Sequence, residues 1–388
     1  MKVLKVCIST WQNENRDKRE LSVIRELGHE VEVIAKGDVS GIVEDVDGFR
    51  ATRLSSRPLG NKIPASINRV LSLFTWARYI RKRKDIDAIS GHDYLALTIG
   101  YLSNIFKRKK AKLVYDSHEF ELGRNQKRSK PVHWFVCHWE RFLMKRCAFS
   151  IMVGDAIADE VQRIHKLKDR PVVARNIPTY WELDQEKSAQ TRKELLSQLA
   201  APEDAFLAMY HGAVMNDRGV EQMLQAVAQL DGVYAVILGN PNTARYMTSL
   251  HELADTLGIT KKVLFLPAVP IESLRNYLCA ADVGIITVLP TFKSYYFMLP
   301  NKFFENIQCL TPVIVSDFPS IGAIVDQYEI GLKVDPKIPD ELAAAITRLR
   351  QDKALYAAFK ENLKQAKEDL CWEKEKLVLQ DAYRRILT

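Results

Sequence analysis

Short apolar runs recur along this chain, each followed by a stretch of helix length whose apolar residues lie three and four apart. The first run, KVLKVCIS, leads into an amphipathic segment over Arg16 to Leu27 and then HEVEVIA, which reads as a strand, a helix and a second strand. The rhythm continues through DAIS, a helix from Tyr94 to Phe106, KLVYDS, a helix from Val132 to Lys145, SIMVG and PVVARNIP. Such alternation predicts a parallel sheet with helices on both faces, a doubly wound α/β domain. Residues 180 to 204 turn polar and helical, and a second series then runs through AFLAMYHG, YAVILGNP, KVLFLPAVP, ADVGIITVL and TPVIVSD. From Pro339 onward the pattern is helical, and Trp372 opens a last amphipathic segment expected to pack back on the first domain.

A length of 388 residues exceeds what one core ordinarily supports, in agreement with two such domains. The expected division is residues 1–179, joined by about 372–388, and residues 180–371. Doubly wound sheets bind ligands at the carboxyl ends of their strands, so two facing domains are expected to enclose a cleft. Hydrophobic residues at 47% and charged residues at 27% exclude a disordered chain,. The six cysteines form no CxxC pair, which points to free thiols and a cytoplasmic setting and to no metal site of that kind. The opening MKVLKVCIST is too short and too strand-like for a signal peptide, and no later run is long enough to span a bilayer,.

Charge is unevenly placed. Residues 51 to 150 hold 21 Lys and Arg against 7 Asp and Glu, an excess larger than the net +8 of the whole chain. A basic region of this kind suits an anionic partner, either phosphate groups, lipid head groups or nucleic acid, although a solvated face has the same composition. Within it, ASINRVLSLFTWARYIRKRK (residues 65 to 84) places Ile67, Val70, Leu71, Phe74, Ala77 and Ile80 on one helical face, followed by Arg81, Lys82, Arg83 and Lys84. FKRKKAK (residues 106 to 112) and QKRSK (residues 126 to 130) add further cations. That face covers the sheet or docks on an anionic membrane, which would make the protein peripheral on the inner face of the plasma membrane. No RNA- or DNA-binding module accompanies the charge, so no nucleic-acid partner is expected.

Two stretches carry phosphate chemistry. In LPNKFFENIQCLTPVIVSD, Pro300 precedes a helix, and Lys302 and Glu305 lie three residues apart in its first turns. Outward N–H groups and the lysine suit a diphosphate, and the carboxylate suits the two hydroxyls of a ribose. A capped helix with a surface ion pair would use the same residues. In YHGAVMNDRGVEQMLQAV, a strand ends at Gly212 and a helix starts near Gly219, with Arg218 at its mouth. Small residues there let a backbone come close, and Arg218 and Lys302 can then converge on one diphosphate. An ordinary loop with a surface arginine is the plainer alternative.

Over nearly its whole length the chain resembles glycosyltransferase family 4, a large retaining group with the GT-B fold of two Rossmann-like domains facing across a cleft. The Arg-Gly pair with its helix, LPAVP, ADVGIITVL and PNKFFE stand in the family's order and spacing. The resemblance implies that Arg218 and Lys302 bind the donor diphosphate and Glu305 the ribose. It also implies that the backbone around Ala268 and Val269, with Leu274 nearby, meets the base, and that Gly212, Leu299 and Asn301 complete the donor site. GHDYLALTIGYL and KLVYDSHEF look like the acceptor-side motifs of members that build bacterial surface polysaccharides. By that resemblance His118 reaches the transferred sugar near the reacting carbon, with Asn13, His92, Asp93 and Glu119 as weaker acceptor contacts.

The chain departs from the family at two places. Phe297 stands where many members have the first of two glutamates, so contacts to the sugar hydroxyls fall to other groups such as the backbone from Tyr296 to Leu299. TWQNENRDKRE replaces the family's glycine-rich loop after the first strand, and Asn13, Asp17 and Arg19 are the polar residues available there. The expected activity is transfer of a sugar from a UDP- or GDP-linked donor to a glycan or lipid-linked acceptor of surface polysaccharide, with retention and without cofactor or metal. The alternatives are a nucleotide-sugar epimerase on the same fold, or a non-catalytic partner subunit in which Phe297 marks a decayed site.

Overall fold

The computed structural model describes residues 1–12, 14–60, 62–124 and 129–387. It divides into two units, Met1–Arg175 with the stretch from Glu375 onward, and Asn176–Lys374. Among the described residues no helix is long and apolar enough to cross a membrane.

The first unit holds strands β1 (Lys2–Cys7), β2 (Glu30–Gly37), β3 (Val43–Val46), β4 (Phe49–Ser55), β5 (Ala88–His92), β6 (Lys112–Asp116), β7 (Phe149–Met152) and β8 (Val172–Val173). Its helices are α1 (Asn15–Glu26), α2 (Ala65–Arg81), α3 (Asp93–Asn104), α4 (Lys130–Met144) and α5 (Asp155–His165). The sheet order is β3-β4-β2-β1-β5-β6-β7-β8. All pairings are parallel except β3 with β4, where Val46 faces Phe49 across a tight antiparallel turn. The sequence pattern did not reveal this pair, because VEDV and FRATRLS interleave charges with the apolar residues.

In the second unit the helix α6 (Gln185–Gln198) precedes β9 (Phe206–His211), α7 (Val220–Ala228), β10 (Val233–Leu238), α8 (Ala244–Thr256), β11 (Val263–Leu266), α9 (Ile271–Ala280) and β12 (Val283–Ile286). A short turn of helix, α10 (Lys293–Tyr296), leads to α11 (Asn301–Gln308), β13 (Val313–Ser316), α12 (Pro319–Tyr328) and β14 (Gly331–Val334), and then to α13 (Pro339–Gln351) and α14 (Lys353–Asp369). The six strands are all parallel in the order β11-β10-β9-β12-β13-β14. Strand β14 is one more than the sequence reading foresaw. The last helix, α15 (Trp372–Arg384), begins with the Trp372 N–H bonded to the Pro178 carbonyl in the second unit. From Glu375 it belongs to the first unit, where Tyr383 is wholly buried.

In each sheet the chain turns back on itself beside the strand it started from. The first sheet grows to one side of β1 and resumes on the other at β5, and the second does the same between β9 and β12. At such points the loops leave in opposite directions and open a crevice at the carboxyl ends of the strands. In the first unit α3 closes tightly onto β5 because Gly91 has no side chain, and a Cβ there would lie 2.6 Å from the Leu97 backbone nitrogen. The close approach fixes where His92 and Asp93 emerge. Gly91→Ala is expected to cost about 1–3 kcal/mol, the usual cost of overpacking. It should lower the thermal midpoint more than Lys109→Ala on the exposed surface, and equal midpoints would refute the tight helix-to-strand contact.

Candidate active site

At the switch point of the second sheet, β9 ends in Tyr210 and His211, and Gly212 follows with φ of 108°. The loop that continues is pinned where the Leu289 N–H donates to the Asp217 carbonyl at 2.9 Å. Helix α7 is preceded by its cap Gly219, whose φ is 77° and whose missing Cβ would lie 1.9 Å from the Thr287 carbonyl oxygen. Only glycine permits that contact. Arg218 is thereby held at the helix mouth, its guanidinium 4.6 Å from the centre of the Tyr295 ring and 3.9 Å from the Met298 sulfur.

Pro300 sits just ahead of α11, and Phe303, Phe304 and Ile307 bury the inner face of that helix completely. Lys302 comes off the first turn, and its Nζ is buried with no hydrogen-bond partner, 3.8 Å from the centre of the Tyr210 ring. Burial and then the charge of Arg218 lower the Lys302 pKa from 10.5 to about 7. Glu305, the carboxylate whose charge acts on Lys302, accepts instead from His211 Nε2 at 2.8 Å. Two cations thus sit together with no carboxylate paired to either among the described residues, an arrangement that favours a doubly charged anion such as a diphosphate.

Of the expected donor residues, Gly212, Arg218, Lys302 and Glu305 come together at this switch point. Leu274 and Leu299 are half-buried against the core, and Leu274 lies on α9. The Ala268 N–H already donates to the Asn240 side chain at 3.1 Å, and Asn301 accepts from the Asn176 side chain at 3.0 Å. Val269 follows Ala268 in the loop before α9. The Phe297 carbonyl accepts from the Ser320 hydroxyl at 2.8 Å.

The switch point of the first sheet carries a different constellation. Lys5, in the middle of β1, has no exposure, and its Nζ lies 2.9 Å from Asp17, 3.1 Å from Asp116 and against Glu20. These carboxylates hold the ammonium charged against its burial. His118 Nε2 lies 3.1 Å from both Asp17 and Asp116, and His92 Nδ1 lies 2.7 Å from the other oxygen of Asp17. The two imidazoles face each other at 3.8 Å. Burial opposes protonation of His118, but Asp116 and Asp17 outweigh it and raise the pKa to about 9. The neighbouring carboxylates thus favour the imidazolium form of His118.

The sequence spacing suggested no cluster of metal-type donors, yet the fold gathers Asp17, Asp116 and His118, and beside them Cys7, Glu14 and His92. The cation that the buried carboxylates require is supplied by Lys5. Arg124 joins Asp93, Glu119 and Glu121 at 3.4, 2.9 and 2.8 Å. Asp93 opens α3 in the left-handed region with φ of 66°. A cavity of about 270 Å³ lies over this edge, lined by Ser9, Arg69, His92, Asp93, Tyr94 and Arg124 among others. Asn13 falls outside the described residues. Sequence reasoning missed Lys5, Glu20 and His211, although a lysine inside the apolar strand KVLKVC was a readable sign of a buried partner.

A family model described as glycosyl transferases group 1 matches residues 191–366, and one described as glycosyltransferase family 4 matches residues 21–176. The chain is 24% identical over 375 residues to an uncharacterized glycosyltransferase of Methanocaldococcus jannaschii, covering 90% of each. It is 28% identical over 191 residues to the lipopolysaccharide core biosynthesis glycosyltransferase LpsE of Rhizobium meliloti, covering 49% of this chain and 52% of that protein. The structure of Anabaena HepE in complex with UDP superposes with a TM-score of 0.78 at 15% identity, covering 100% of this chain and 99% of that one.

A lysine whose pKa is lowered in the folded state weakens the fold wherever the unfolded chain holds it protonated. Below pH 7 that cost is fully present, and it fades as pH rises from about 7 toward 10.5,. Lys302→Met is therefore expected to be more stable than the wild type at pH 6.5, with the difference narrowing by pH 9.5. Denaturant midpoints of both proteins at the two pH values check this, and a less stable variant at pH 6.5 would contradict it.

Proposed function

Because the chain belongs to the group 1, family 4 glycosyltransferases and has their GT-B fold, we propose that it carries a sugar from a nucleotide-sugar donor to a glycan or lipid-linked acceptor of surface polysaccharide, with retention of configuration. The observation that carries this reading is the buried, unpartnered Lys302 ammonium beside Arg218 at the end of β9. In the proposed reaction the bond from the anomeric carbon to the diphosphate breaks, and the acceptor oxygen bonds to that carbon on the same face. The acceptor proton passes to the departing diphosphate oxygen. Lys302, Arg218 and the first N–H groups of α11 stabilise the negative charge that grows on that diphosphate. No cofactor enters this scheme, and the cationic groups it needs are all side chains or backbone amides.

Glu305 is assigned to the ribose hydroxyls. His118, fixed through Nε2 by two aspartates, turns Nδ1–H outward from that cluster as a donor to the transferred sugar. The UDP complex of HepE supports a uridine nucleotide, and the sixfold free thiols suit a reducing, cytoplasmic setting,. An epimerase on this fold would not need a second substrate at the edge of the first sheet, where the cavity over Asp93 offers room for one.

The test is a panel of UDP- and GDP-sugars with a lipid-linked acceptor extract. Lys302→Ala and Arg218→Ala are each expected to lower turnover about tenfold to a thousandfold, as loss of one preorganised charge does. His118→Ala should lower transfer while nucleotide binding by calorimetry stays nearly unchanged. Wild-type turnover in the lysine or arginine variant would remove that residue from the site.

The acceptor side also bears on where the enzyme works. The expected single apolar face of α2 is in fact divided: Ala77 and Ile80 are buried, whereas Ile67, Val70 and Phe74 are 50 to 56% exposed. The covered side of α2 runs instead through Asn68, Ser72, Trp76 and Ile80, which turns Ile67, Val70 and Phe74 outward. On α4, Val132, Trp134 and Phe135 are 50 to 62% exposed, and α3 packs against both helices. Exposed aromatics beside Arg69, Arg78 and Lys130 suit the interface of an anionic bilayer, where each cation contributes about 1 kcal/mol. Co-sedimentation with liposomes is expected to rise with anionic lipid, fall with salt and weaken in Trp134→Ser/Phe135→Ser. Binding that ignores lipid charge, or none at all, would exclude the membrane.

A further inference from the structure

His211 is the last residue of β9 and is 3% exposed, yet nothing in the donor chemistry described so far uses it. Its Nε2 lies 2.8 Å from Oε2 of Glu305, one turn beyond Lys302 on α11. We propose that His211 is the positioning residue that fixes the Glu305 carboxylate for the hydroxyls of the donor's ribose. This rests on the assignment of Glu305 to the ribose made above.

The argument begins with the bond itself. An ionised carboxylate only accepts hydrogen bonds, so the proton between the two groups belongs to Nε2 and the tautomer of His211 is set. Burial, and then the charge of Lys302 against the opposing pull of Glu305, holds the imidazole below its usual pKa. The neutral ring is thereby favoured, a donor that brings no charge to compete with Lys302. With Oε2 committed to His211, the carboxylate can turn neither about its last bond nor toward the neighbouring ammonium without losing a buried hydrogen bond. Oε1 is the oxygen left for a ligand.

The surroundings place that oxygen usefully. Glu305 keeps 14% of its side chain exposed while His211 keeps 4%, so the histidine backs the carboxylate from the inside. A carboxylate on a three-bond side chain would otherwise lose rotational freedom on meeting a ribose, and fixing it beforehand lowers that cost. Such a role also explains why a strand that is otherwise largely apolar, FLAMYH, ends in a buried histidine bonded to α11. A histidine that merely fills the core and satisfies a neighbour would show the same bond, but it would not discriminate between nucleotides.

Binding of UDP, GDP, and their 2′-deoxy and 3′-deoxy counterparts is measured by calorimetry for the wild type, His211→Leu, His211→Gln and Glu305→Gln, with thermal midpoints for each. The wild type should prefer the ribonucleotide. His211→Leu is expected to weaken the ribonucleotide about tenfold, the worth of one well-placed hydrogen bond, and to leave the deoxy forms nearly unchanged. His211→Gln keeps a donor and should recover part of the preference. Equal weakening of ribo and deoxy forms in His211→Leu would make the residue structural and overturn the proposal. Wild-type preference in His211→Leu alongside its loss in Glu305→Gln would overturn it as well, while the Glu305 assignment stands. Wild-type preference in Glu305→Gln would remove the ribose assignment and the proposal together. If the leucine variant does not fold, His211→Asn, too short to reach Glu305, carries the same comparison against His211→Gln.

Discussion

The ammonium of Lys5 lies at the centre of the first sheet with no access to water, and elements from across the sequence converge on it. Asp17 and Glu20 come from α1, Asp116 from the end of β6 and Ser90 from β5. Glu20 accepts in turn from Tyr383 of α15, and Arg16 ties Asp116 to the carbonyl of Ala174. A buried charge left without its partner typically costs about 3–5 kcal/mol, so none of these elements can move off independently. The first strand, the first helix and the last helix are held to one another by charge as well as by apolar packing. His118 stands on the same carboxylates. Its position and its protonation both follow from how Lys5 is met.

Lys302 in the second unit is the opposite case. It too has a buried ammonium, but an aromatic face stands where Lys5 has three carboxylates. Lys5 is kept charged by its surroundings, and Lys302 is pushed toward neutrality by burial and by Arg218. One lysine contributes to a firm scaffold, and the other holds a charge that the scaffold leaves uncompensated. Groups arranged at the expense of stability in this manner are characteristic of binding and catalytic sites. The contrast arises from the same residue type on two similar sheets, and it lies in the partners alone.

Much of this was legible in the amino-acid order. The two series of strands, the helix after Pro300 and the approach of Arg218 to Lys302 all follow from local pattern, because each depends on residues near one another in sequence or on a repeated architecture. What escaped was set by long-range pairing. Lys5 and Asp116 are 111 positions apart, and His211 and Glu305 are 94 apart, so neither contact leaves a periodic trace. The divided face of α2 escaped for a related reason. Helical spacing says which residues share a side, but the side that the fold covers runs through Asn68 and Ser72 as well as Trp76 and Ile80, and polar members leave no apolar trace. The β3–β4 pair was hidden by its charges, which belong to an edge and not to a core.

Those charges have a consequence for how the border of the sheet meets other molecules. Strand β3 closes one border of the first sheet with only four residues, two of which are Glu44 and Asp45, and Arg53 of β4 bonds Glu44. A long apolar strand at that border would offer a row of open backbone groups to any neighbouring molecule. A short acidic one presents little length to pair with and repels its own copies. The segment thus guards a large parallel sheet, slow to assemble by nature, against joining edge to edge with another chain while it is being made.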